Sequence, residues 1–171
     1  MTGFRVGQWV FLGVILSGLS GCSRSLSSEV QPLTAARAAE VDKDVRVFAQ
    51  AVAVDVTQNG PAAWRRHFAE SPSFFMAVDG HMQFPDSASA TKGIEELTRT
   101  ILHIELKWGD DLRVDALAPD LAVMAASYHE VLANADGSKI DAAGFFTGTA
   151  EHRGGEWKFR NVHWSDPPAA R

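Results

Sequence analysis

Cysteine occurs once in this chain, as Cys22, and tyrosine once, as Tyr128. A single cysteine cannot close an intramolecular disulfide or build a thiolate metal site, so the fold must hold by packing alone. Long apolar runs are scarce as well. The main one, Val6 to Leu19, is broken by Gly13, Ser17 and Gly18 and falls short of the roughly 20 residues that a spanning helix needs. Positive charge is not in excess either: the formal net charge is -5, which does not suit a phosphate backbone and argues against nucleic acid as a partner. His67, His81, His103 and His152 are scattered without a spacing that builds a ligand set, so no metal is expected. No phosphate loop, dinucleotide fingerprint or Ser-His-Asp order occurs, and no cofactor is expected.

What is present begins at the N-terminus. Arg5 supplies a positive start, an apolar run follows, and the small residues Ser20 and Gly21 precede Cys22. The order Leu19-Ser20-Gly21-Cys22 resembles the lipobox of bacterial lipoprotein signal peptides. The resemblance implies cleavage after Gly21, acylation of Cys22 and a lipid bilayer as partner. Ser23 after the acylated cysteine resembles the outer-membrane class, so an envelope anchor facing the periplasm is expected. Removing the leader takes away Arg5 and moves the formal charge from -5 to -6. The remaining 150 residues suffice for one domain with a sizeable core. Residues 1–21 therefore read as signal peptide, 22–36 as tether and 37–167 as domain. The tether carries Ser23, Ser25, Ser27, Ser28 and Pro32, and such a segment reaches about 50 Å when fully extended.

Beyond the tether the hydrophobic period changes along the chain. Val41, Val45, Phe48, Ala49, Val52 and Val56 fall on one helical face, and Asn59-Gly60-Pro61 predicts a stop and a new start. Pro61 opens a second, shorter helix through Trp64, His67 and Phe68, which Ser71-Pro72 ends. Ser73 to Val78, Asp79-Gly80 and His81 to Phe84 read as a hairpin. A third helix is predicted over Thr91 to Leu102, with Ile94, Leu97, Ile101 and Leu102 at helical spacing. The remainder alternates as strands, with turns at Ala118-Pro119-Asp120, Asp136-Gly137 and Gly154-Gly155. The expected class is α+β: a curved antiparallel sheet packed against three N-terminal helices.

Val78-Asp79-Gly80, Phe145-Phe146-Thr147-Gly148, Gly155-Glu156-Trp157-Lys158-Phe159 and His163-Trp164-Ser165, taken with the order of elements, resemble the nuclear-transport-factor-2-like superfamily. The similarity is to its SnoaL-like branch and to the association domain of calcium/calmodulin-dependent kinase, over Val41 to Asp166. It implies a cone-shaped fold with a pocket between sheet and helices, and pairing of copies through the convex sheet face. Where the family pattern has a first histidine, this chain has Asn161. Steroid isomerases of the superfamily use a tyrosine on the first helix, whereas Tyr128 lies on a predicted strand, so their mechanism does not transfer.

Strand parity then sorts the candidate residues. Trp157, Phe159, Asn161, His163 and Ser165 share one face of the last strand, a mixed lining that suits a small-molecule pocket. Phe145 and Thr147 from the preceding strand, and Tyr128 and Glu130 from a neighbouring one, are expected to add to it. His163 is the candidate catalytic acid or base, and Asn161, Ser165, Trp157, Phe145, Thr147 and Tyr128 the candidate ligand contacts. Trp164, Val162 and Phe146, on the opposite parity, are compatible with a homodimer interface. The functions that follow are capture of a small apolar or amphipathic ligand by a lipid-anchored domain, an isomerase, cyclase or hydratase using His163, or a dimeric interaction module.

Overall fold

The computed structural model describes residues 33–167. The leader, Cys22 and the tether up to residue 32 lie outside the described residues. The first helix, α1 (Ala35–Asn59), starts two residues before the boundary expected at 37, because Thr34 caps it. The Arg37 backbone N–H donates to the Thr34 hydroxyl at 3.2 Å, satisfying one of the free donors of the first turn. Val41, Val45, Phe48, Ala49, Val52 and Val56 are all buried, together with Ala53. Gly60 then turns the chain at φ 68°, and Pro61 opens a 3-10 turn (Pro61–Ala63) that leads into α2 (Trp64–His67).

The third helix, α3 (Ser87–Thr100), begins earlier than its hydrophobic spacing predicts. The Asp86 carboxylate accepts from the Ser89 N–H at 2.7 Å and sets the start. The helix also ends earlier, because Ile101 is extended (φ -112°, ψ 115°) and pairs with Asn134 as the first residue of a strand. A β-branched residue with a sheet partner leaves the helix at little cost.

Seven strands follow one another as β1 (Phe75–Val78), β2 (His81–Phe84), β3 (Ile101–Trp108), β4 (Arg113–Ala118), β5 (Leu121–Asn134), β6 (Lys139–Arg153) and β7 (Glu156–Ser165). They form one sheet in the order β2-β1-β7-β6-β5-β3, with β4 also on β5. Asp79 (φ 48°) and Gly80 (φ 81°) make the two-residue turn between β1 and β2. The sheet is mixed: β1 lies parallel to β7, whereas the expectation was wholly antiparallel. The chain leaves the hairpin through α3 and crosses the whole sheet before its last strand returns beside the first, and such a crossover permits parallel pairing. Strands β3 and β4 are two halves of one edge along β5. They part where the Asp111 carboxylate accepts from the backbone N–H and hydroxyl of Ser127, at 2.9 and 2.8 Å.

The core lies between the helices and the concave face of the sheet. Trp164 sits at its centre, with ring centroids 4.6 Å from Tyr128, 4.7 Å from Phe146, 5.7 Å from Trp64 and 5.8 Å from Trp108. Each such aromatic pair contributes about 0.5–1.5 kcal/mol beyond area burial. The Trp108 indole N–H donates to the Ala49 carbonyl at 2.8 Å, tying the sheet edge to α1.

Candidate functional site

A bulge in β7 decides which residues face the helices. Thr149 pairs with Asn161 but the next residue, Ala150, pairs with Phe159, so Arg160 is the extra residue and the alternation reverses across it. Phe159, Val162 and Trp164 are buried against the core. Asn161, His163 and Ser165 consequently turn to the outer, convex face, beside Phe145 and Thr147, their neighbours on β6. This corrects the expected lining: His163 is exposed and Phe145 is 45% exposed, on the side of the sheet away from the helices. Trp157 lies at the far end of the same hairpin, its ring 5.3 Å from that of His152. Trp164, Val162 and Phe146 are interior, so they do not form an outer face for a second copy.

Of the expected lining, Tyr128 and Glu130 face the cavity that the fold encloses, whereas Asn161, His163, Ser165, Trp157, Phe145 and Thr147 do not. That cavity measures about 290 Å³ and lies between α2, α3 and the concave sheet. Most of its wall is apolar, including Trp64, Phe68, Ile94, Leu132 and Trp164, and its polar groups are Tyr128, Glu130 and Asp166. Tyr128 and Glu130 are two apart on β5 and share its inner face. Asp166 follows β7 and accepts a short hydrogen bond from the Tyr128 hydroxyl. Its own backbone N–H donates to the Asp79 carboxylate at 2.7 Å, so the turn between β1 and β2 orients the Tyr128–Asp166 pair.

The electrostatics follow from the enclosure. Burial, reinforced by the nearby Asp166, raises the Glu130 carboxyl to about 7. Burial and the Asp166 carboxylate also hold the Tyr128 phenol above its usual range. Glu130 therefore changes protonation near neutrality, next to a phenol that stays protonated. A further donor is unused: the Trp164 indole N–H is buried and has no acceptor among the described residues, although Trp164 lines the cavity. Buried donors of this kind are rare. Asp166 and the inward-facing Trp164 escaped sequence reasoning, whereas the i, i+2 placement of Tyr128 and Glu130 on an apolar strand was a visible signal.

A larger, open groove of about 910 Å³ runs between α1, α2 and the β6–β7 hairpin and includes Trp157. Its central group is Asp55, which accepts from the Arg66 guanidinium at 2.6 and 3.1 Å and lies 2.7 Å from His67 Nε2. The Arg66 hydrogen bonds lower the Asp55 carboxyl to about 2, and burial lowers the pKa of His67. These charges are matched within the groove, whereas the cavity holds acids with no basic side chain among its described lining residues. The smaller cavity is therefore the candidate site, because its groups retain unfilled bonding capacity. Among the described residues no cluster of metal-ligating side chains occurs, and no helix is long and apolar enough to cross a membrane.

No family model and no curated protein matches the sequence. Solved structures do match. A nuclear transport factor 2-like superfamily protein from Salmonella enterica serovar Typhimurium superimposes with a TM-score of 0.60 at 14% identity, covering 80% of this chain and 94% of that one. A Xanthomonas campestris protein named for the calcium/calmodulin-dependent protein kinase II association domain gives 0.61 at 19% identity, covering 75% and 89%. A hexachlorocyclohexane dehydrochlorinase gives 0.61 at 12% identity, covering 80% and 100%. These are likenesses of fold.

Proposed function

We propose, from the nuclear-transport-factor-2-like fold that this chain has, that the domain binds a small apolar or amphipathic molecule in the cavity beneath α2 and α3. The observation that carries this reading is the convergence of Tyr128, Glu130 and Asp166 on one wall of an otherwise apolar enclosure. Ligand sites have this character, mostly apolar with a few polar groups that fix orientation. At about 290 Å³ the space suits a small ligand, near the lower end of the roughly 300–1,000 Å³ typical of such sites. Native mass spectrometry of the full chain purified from its host tests the reading. A stoichiometric small molecule that is absent from Ala142→Phe, which fills the cavity, supports it; retention of that molecule by the filled variant overturns it.

We further propose, from the resemblance of Leu19-Ser20-Gly21-Cys22 to a lipobox, that the protein is held at a membrane surface. In this reading, acylation of Cys22 anchors the protein to the bilayer, on the outer membrane facing the periplasm. Cys22→Ser is expected to leave the membrane fraction and to lose palmitate labelling. Continued membrane association of that variant would remove the anchor.

A second reading, proton-transfer catalysis, is favoured by the raised pKa of Glu130 beside the Tyr128 phenol, since a general base works best when it titrates near the operating pH. The dehydrochlorinase with the same fold is in keeping with it. The acid/base role then belongs to Glu130 rather than to the exposed His163. Deuterium incorporation next to the carbonyl of cyclohexanone in heavy water, lost in Glu130→Gln, is the expected sign; equal incorporation by that variant would exclude the role.

A further inference from the structure

The cavity, taken as a ligand site, has a one-sided charge. The ionisable groups in its wall are Tyr128, Glu130 and Asp166, all of them acids. Every element around Glu130 leaves this imbalance uncorrected. Its partners across the sheet are Leu106 on β3 and Ala142 on β6. Ile94 and Leu97 come from α3, Trp64 from α2, and Phe68 from the residue after it. Beyond the cavity wall, the titratable neighbour is Asp79, which is bonded to the Asp166 backbone. The nearby bases His129 and Lys107 are paired across the outer face of the sheet, where His129 contacts Asp141 at 2.8 Å.

Burial in this apolar surrounding disfavours the ionised form of Glu130, and the negative charge of Asp166, itself exposed, adds to that unless a counter-charge joins them. The same walls offer aromatic surface from Trp64, Phe68, Phe84 and Trp164, which attracts cations through the ring quadrupole. We infer that the cavity selects a small organic ammonium ion, its charge held by Glu130 and Asp166 and its apolar body by the surrounding aromatic and aliphatic side chains. This rests on the reading of the cavity as a ligand site and adds the sign of the ligand's charge.

A linkage follows. In the free protein Glu130 holds a proton below about pH 7, and a cation placed against it expels that proton. Affinity for a permanent cation therefore rises with pH until the free protein is itself ionised, and binding below that point releases protons to the buffer.

The test compares benzyltrimethylammonium with its neutral carbon isostere, neopentylbenzene, by calorimetry on the full chain. The cation is expected to bind at least tenfold more tightly at pH 7.5, to weaken as the pH falls to 5.5, and to lose at least tenfold in affinity in Glu130→Gln, which keeps its affinity for neopentylbenzene. Equal or tighter binding of neopentylbenzene overturns the charge selection while leaving the cavity as a ligand site. Unchanged cation affinity in Glu130→Gln overturns it as well. Binding of neither probe overturns both readings.

Discussion

The Tyr128 hydroxyl donates to the Asp166 carboxylate across 38 residues of chain, joining the centre of β5 to the segment that leaves β7. Removing the hydroxyl leaves the ring packed 4.6 Å from Trp164 but takes from the exposed Asp166 carboxylate its phenol donor. Tyr128→Phe is expected to lower stability by about 1–3 kcal/mol, read from urea unfolding. A loss near zero would show that water replaces the phenol without cost.

Glu130 predicts a pH dependence of stability with a definite sign. Its carboxyl is raised from 4.5 to about 7 in the folded protein, so between those values the folded state holds a proton that the unfolded chain has released. Its contribution is full below about pH 4.5 and is lost as the pH rises to about 7, with an upper bound of roughly 3 kcal/mol. Glu130→Gln is expected to flatten that part of the profile and to be more stable than the parent at pH 7.5. Denaturant titrations at several pH values check this, and an unchanged profile would contradict it.

Asp55 works in the opposite direction. Its carboxyl is depressed from 3.8 to about 2 by the Arg66 hydrogen bonds, so its contribution is present above about pH 3.8 and is lost as the pH falls towards 2. Solvent screens this pair, and the expected loss in Asp55→Asn at pH 7 is on the order of 1 kcal/mol. The difference between variant and parent should shrink in acid, as followed by thermal unfolding at pH 7 and pH 2.5.

Gly144 marks a place where the backbone approaches too closely for a side chain. A Cβ there would clash with the Ser165 carbonyl oxygen and lie 3.0 Å from Tyr128 Cε1. Because the nearest atom is backbone, relief requires the end of β7 to move, and with it the segment that carries Asp166. Gly144→Ala is expected to cost about 1–3 kcal/mol and to weaken occupancy of the cavity. Unaltered unfolding and binding would show that the strand end yields freely.

His163 supplies a contrast. It is exposed on the outer face and lies across from Ala77 and Thr147. His163→Ala is expected to change stability by less than about 0.5 kcal/mol and to leave binding in the cavity unaltered. Weaker binding of benzyltrimethylammonium by this variant would place the ligand on the outer face instead.

The order of elements was legible in the chain because it depends on local physics. The valines of α1 recur at the helical period, Asp79-Gly80 demands a tight turn, and Gly60-Pro61 stops one helix and starts another. Membership of the site was not local. Alternation alone puts Asn161, His163 and Ser165 on the face of Trp157 and Phe159, but the extra residue Arg160 reverses the parity. Nothing in the strand's own sequence marks that bulge, because it arises from the register against β6. Likewise Asp166 lies beyond the last strand, and its place beside Tyr128 depends on an Asp79 side chain 87 residues earlier. Helix faces and turns are set by contacts a few residues apart and so are determined by sequence. The acidic wall of the cavity joins distant segments, and only the packing of the sheet decided which side chains meet there.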